Sequence, residues 1–94
     1  MRSTLNSFLI DFGRDLPTNY ARIASVSLIT GIHLTHLENA LVVAHELGES
    51  EVCGGGITHI VERIFCRPDC VRFRVYNSHE TLDGATDSPV VVRN

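Results

Sequence analysis

Histidine and cysteine are the side chains of this sequence best suited to chemistry: five His and three Cys occur in 94 residues. His33 and His36 are three apart, close to one helical turn, and Cys66 and Cys70 are four apart around an Arg-Pro-Asp turn. A zinc ion takes four nitrogen or sulfur ligands in a tetrahedron, so these four residues form a candidate set. The tight Cys-x-x-Cys pairs that mark a zinc site are missing, and the expectation is therefore no cofactor, with zinc at His33, His36, Cys66 and Cys70 as the alternative. Arg67 stands between the two cysteines, and a cationic neighbour favours the reactive thiolate. His59 is a candidate base. No nucleophile elbow, phosphate loop or carboxylate pair accompanies them, and the chain is not read as an enzyme. Cys53-Gly-Gly-Gly reads as a connector, because no helix start follows it.

These residues need elements to position them. Leu5, Phe8, Leu9, Phe12 and Leu16 follow helical spacing, with Ser3 or Thr4 as a cap and Gly13 as a stop, which predicts a first helix over residues 4–12. Pro17 breaks the chain. Thr18 and Asn19 can cap a second helix carrying Tyr20, Ile23, Val26 and Ser27 on one side. The same stretch, RIASVSLIT, is rich in β-branched residues and also reads as a strand. Leu34, Leu37, Leu41, Ala44 and Leu47 make an apolar seam, predicting a third helix from Leu34 to Leu47, with a Thr35/Glu38 capping box and Gly48 as its stop. ITHIVERIFC and VRFRVYN are rich in β-formers and flank turn chemistry, predicting a β-hairpin with its tip near Pro68. The fold class expected is α+β, three helices followed by a β-hairpin, in one domain over residues 1–76. Residues 77–94 read as a polar tail, in which VVVR adds a strand, packs against a partner or frays, leaving the tail partly disordered.

The string IASVSLITGIHLTHLENAL resembles a helix-turn-helix: Ser27 is the small residue at the close approach, Gly31 lies in the turn, and Val26, Ile32, Leu37 and Ala40 occupy the pinning positions. Together with the hairpin, the element order resembles a winged helix-turn-helix domain over roughly residues 5–76. Ser27 and Thr30 depart from the usual Ala and aliphatic residue. The resemblance implies a recognition helix from Leu34 to Leu47 presenting His33, Thr35, His36 and Asn39 to base edges, with Arg67 and Arg22 reaching phosphates. It implies sequence-specific, dimeric binding of double-stranded DNA and a role in transcription control. The other function carried forward is a small acidic regulator or inhibitor that binds a protein partner.

Composition limits these readings. The length permits one domain. A formal net charge of −3 runs against DNA binding, yet the chain has eight Arg and no Lys, and Arg63, Arg67, Arg72 and Arg74 fall close together. Residues 23–62 contain no Lys or Arg at all. A mean hydropathy of +0.09 is high for so small a chain and points to apolar surface covered by a partner, most simply a second copy. No apolar run reaches the length of a membrane span, and no secretion signal is read, so a cytoplasmic protein with reduced thiols is expected.

Overall fold

The computed structural model describes residues 7–13, 16–77 and 90–91. The chain runs β1 (Ser7–Phe12), α1 (Leu16–Thr30), α2 (Leu34–Leu47), β2 (Glu49–Gly54), β3 (Ile57–Arg67), β4 (Cys70–Asn77) and β5 (Val90–Val91). The sheet order is β2-β3-β4-β1-β5. The first four of these are antiparallel, and β5 lies parallel to β1. This overturns the expected three helices followed by a hairpin: two helices pack on one face of a sheet that the first segment helps to build.

The first segment is a strand because its apolar residues satisfy a period of two. Phe8, Ile10 and Phe12 lie on one face, opposite Val75, Phe73 and Val71 of β4. Phe8, Ile10, Phe73 and Val75 are all buried. The spacing of Phe8, Leu9 and Phe12 suits a helix equally well, but only the strand puts Phe8 and Ile10 together in the core while Leu9 turns to the other face. Gly13 is therefore no helix stop. Its N–H donates to Asn19 Oδ1 at 3.0 Å, and Asn19 Nδ2 donates to the Gly13 carbonyl at 2.8 Å. Asn19 does not cap α1 but sits within it and locks the β1–α1 connection. The caps proposed at Ser3 and Thr4 lie outside the described residues.

RIASVSLIT is helical. Ile23 and Val26 bury at helical spacing against the sheet. Two hydroxyls fold back onto the carbonyls four residues earlier, Ser25 onto Ala21 at 3.0 Å and Thr30 onto Val26 at 2.7 Å. Gly31 to His33 form the turn into α2, and the two axes bend by 114° there. Hydrogen bonds knit this turn: Gly31 N–H to the Ser27 carbonyl at 2.9 Å and the Ser27 hydroxyl to the Ile32 carbonyl at 2.6 Å. Val26, Ile32 and Leu37 are fully buried around it. Each such side chain contributes about 1.5–3 kcal/mol by leaving water.

The start of α2 differs from the expected Thr35/Glu38 box. His33 is the N-cap, in extended conformation, and its Nδ1 accepts from the Thr35 N–H at 3.3 Å. At the other end Gly48, with φ 95°, returns its N–H to the Ala44 carbonyl at 2.7 Å. Arg63 of β3 donates to the His45 carbonyl, setting a cation on the negative end of the helix. β2 then pairs with β3 through the tight turn Gly55–Gly56, whose φ values of 59° and 79° are the left-handed pair that a two-residue hairpin requires. The β3–β4 hairpin turns at Pro68 and Asp69, and a register shift at Arg63/Phe65 inverts which β3 residues face the helices beyond it.

Candidate functional site

Because α1 and α2 diverge from Gly31, they form a V over the sheet and leave its open end uncovered. The cleft so formed has a volume of about 520 Å³, within the range of small-molecule sites. Its floor is Phe12, Val71 and Phe73. The two aromatic rings meet edge to face, with centroids 5.6 Å apart, the arrangement favoured by the ring quadrupoles. One wall is Asn19 and Ile23 of α1, and the other is Glu38, Leu41, Val42 and His45 of α2. Gly13, Pro68, Asp69 and Cys70 close the end.

Position along α2 explains the second wall. Glu38 and His45 are seven residues apart, so they fall on the same side of the helix, flanking the buried Leu41. Val42 is exposed at the rim. The polar groups differ in what they have left to offer. The Asn19 amide is committed to Gly13, whereas Glu38 and Asp69 bring carboxylates and His45 brings an imidazole. Among the described lining residues there is no Lys or Arg. Such a cleft excludes water from an apolar body and favours a hydrogen-bond donor or cation at its rim. It disfavours an anion.

The residues singled out from sequence are not gathered there. His33 is exposed at the N-cap of α2 and Thr35, His36 and Asn39 are exposed on its first half, with the His33 and His36 rings 5.5 Å apart. Arg22 of α1 donates to the Asp11 carbonyl, which ties α1 to β1. Arg67 is exposed at the end of β3, with its guanidinium 4.9 Å from the centre of the Phe65 ring. The start of α2 lies beside Gly54 and Gly55, at one end of the sheet. Cys66, Arg67 and Cys70 lie at the other, the length of β3 away, roughly 30 Å by strand rise. His33 and His36 therefore do not meet Cys66 and Cys70, and among the described residues no group of three His, Cys, Asp or Glu side chains is placed to share a metal.

His59 is buried against the helix layer, paired with Val52 and Asn77, and its Nδ1 has no partner among the described residues. Burial lowers its pKa from the usual imidazole value, and a hydrogen bond with the Ile57 backbone opposes that shift. Of the cleft residues, sequence marks only Cys70 as a candidate for chemistry. The one further signal in the chain is the placement of Glu38 and His45 on the same side of an apolar seam.

No family model, curated protein or solved structure matches this chain. No single helix among the described residues is long and apolar enough to cross a membrane.

Proposed function

We propose that this protein is a small non-catalytic binding domain whose V-shaped cleft takes a largely apolar molecule, neutral or bearing a basic group. The observation that carries this reading is the cleft itself, with its aromatic floor and a rim supplied by Glu38, Asp69 and His45. A concave apolar surface with a few converging polar groups is the arrangement that small-molecule sites share. N-phenyl-1-naphthylamine, a neutral apolar amine that fluoresces on leaving water, is the probe for it. The expected result is saturable binding that dodecylammonium displaces better than dodecanoate. Val42→Trp fills the mouth from an exposed position and should abolish binding while leaving the melting transition in place. A signal unchanged in Val42→Trp would place the probe elsewhere and sink the reading.

A second reading is favoured by the helix pair. α1 and α2 are joined by a three-residue turn containing Gly31, with a bend of 114°, and helix-turn-helix pairs cross at roughly 90–120°. His33 at the N-cap and Thr35, His36 and Asn39 on α2 are exposed. DNA binding in transcription control, by a dimer, is the function that this geometry would serve. It ranks second because residues 23–62 lack Lys and Arg and because Arg67 lies at the far end of the sheet. Fluorescence anisotropy of a random duplex library, titrated against salt and followed by sequencing of the bound fraction, tests it. An enriched site whose selection depends on Asn39 supports it, and no binding at low salt removes it.

A further inference from the structure

β2 ends the sheet, with β3 on one side and no described strand on the other. The ladder shows which of its backbone groups are left over. The Arg63 N–H donates to the Gly48 carbonyl at 2.8 Å, and these two residues continue the β2–β3 register by one step. In an antiparallel pair, residues that exchange hydrogen bonds alternate with residues whose N–H and C=O turn away. Ser50, Val52 and Gly54 therefore bond to β3, while Glu49, Glu51 and Cys53 turn their backbone groups outward. All three are exposed, and among the described residues nothing bonds to those outward groups.

A helix runs along this edge. The turn leading into α2 touches Gly54, and α2 passes into β2 at Gly48, so the two lie antiparallel, each roughly 20 Å long. α2 packs on β2 and β3, whereas α1 packs on β1. Leu37, Ala40, Leu41 and Ala44 bury beneath α2, and Glu38, Val42 and His45 turn toward the cleft. At about 100° per residue the remaining flank, turned away from α1, carries Val43 and Leu47. They are 39% and 77% exposed. Two apolar side chains thus overhang the outer edge of β2.

We propose that the β2 edge and this flank of α2 take up an extended peptide as a sixth strand, one whose residues alternate apolar and basic. Strand addition to a sheet edge draws affinity from main-chain hydrogen bonds and specificity from alternate side chains. Peptide side chains on the helix side would stand beside Ser50 and Val52 and against Val43 and Leu47, an apolar lining. Those on the other side would stand beside Glu49 and Glu51, which have no ion-pair partner among the described residues. Glu46 adds a third exposed carboxylate near the end of α2, and Arg63 is already committed to the His45 carbonyl. Cross-strand pairs of opposite charge favour the basic partner. A second copy is the poorer occupant, because two β2 edges would set Glu49 and Glu51 against the same carboxylates. The groove lies on the side of α2 away from the cleft, so this inference stands apart from the small-molecule reading.

Fluorescence anisotropy of a fluorescein-labelled short peptide of alternating Val and Lys, titrated with the full chain at low salt under reducing conditions, tests this. Saturable binding is expected, and a peptide of alternating Val and Glu should bind at least about tenfold more weakly. N-methylation of one alternate set of peptide amides should abolish binding, while methylation of the other set is tolerated, because only one set meets β2. The bound peptide should slow hydrogen exchange at the Glu49, Glu51 and Cys53 amides. Glu51→Lys and Leu47→Ser should each weaken binding by about five- to tenfold. Both positions are exposed, and circular dichroism with an unchanged melt confirms that the variants fold. Absence of saturable binding overturns the proposal. So does binding indifferent to both variants, or equal binding of the two N-methylated peptides, which would reduce the contact to charge attraction. A chain that sediments as a dimer without peptide, and as a monomer on Leu47→Ser, gives the edge to a second copy and also overturns it.

Discussion

His59 and Gly54 show how single side chains limit this fold. His59 is buried with its pKa lowered, so the folded state holds it neutral. Below about pH 6.5 the unfolded chain takes up a proton that the folded chain resists, and stability falls as the pH falls toward the folded value. Urea denaturation across mildly acidic pH should show that loss, and His59→Leu should flatten it. A slope unchanged in the variant would assign the acid sensitivity to the carboxylates instead. Gly54 is governed by space. A Cβ there would lie 2.5 Å from Ile32 Cα and 2.7 Å from Ile32 N, both backbone atoms that cannot swing aside. Gly54→Ala should cost about 2–3 kcal/mol as the β2 end separates from the α1–α2 turn, read as a lower denaturation midpoint with an unchanged m-value.

Elements were legible from sequence where one period ran long enough to exclude the other. α2 carries its seam through four turns and ends on a glycine, and the β3–β4 hairpin has turn chemistry between two β-rich runs. Residues 4–12 satisfy both periods, and nothing local decides between them. The decision comes from β4, some 60 residues on, whose Phe73 and Val75 face Ile10 and Phe8. β2 is invisible for a different reason: as an edge strand reading Glu-Ser-Glu-Val-Cys-Gly, it turns only Ser50, Val52 and Gly54 inward. The cleft shared this fate, because its floor depends on β1 being a strand and its end wall on the hairpin tip folding back toward α1. Helix ends are the most local of these features. Gly48 has φ 95°, and a methyl group in place of its hydrogen would find nothing within 4 Å, so Gly48→Ala meets backbone strain alone. It should lower stability by about 1 kcal/mol, and Gly48→Asn by less. Equal losses for the two in thermal melts would mean that the left-handed cap is not what Gly48 contributes.

For the whole molecule, β1 is the element the others close upon. It lies between β4 and β5, supplies Phe8 and Ile10 to the core, and accepts Arg22 of α1 at the Asp11 carbonyl. A chain lacking residues 1–13 should lose cooperative unfolding even though both helices and two hairpins remain in its sequence. Near-ultraviolet circular dichroism and calorimetry check this. A sharp calorimetric transition in the truncated chain would show that the β2-β3-β4 meander and the helices fold without it.

The pairing of β1 with β4 also bears on how the protein is made. On the ribosome β1 emerges before β4, with Phe8, Ile10 and Phe12 exposed and no strand to receive them. At ordinary rates of synthesis β4 follows roughly 3–12 s later. During that interval the nascent chain carries an unpaired apolar strand beside two unpacked helices, the kind of segment that chaperones hold. Translation speed across residues 13–70 therefore sets how long this chain is vulnerable to aggregation.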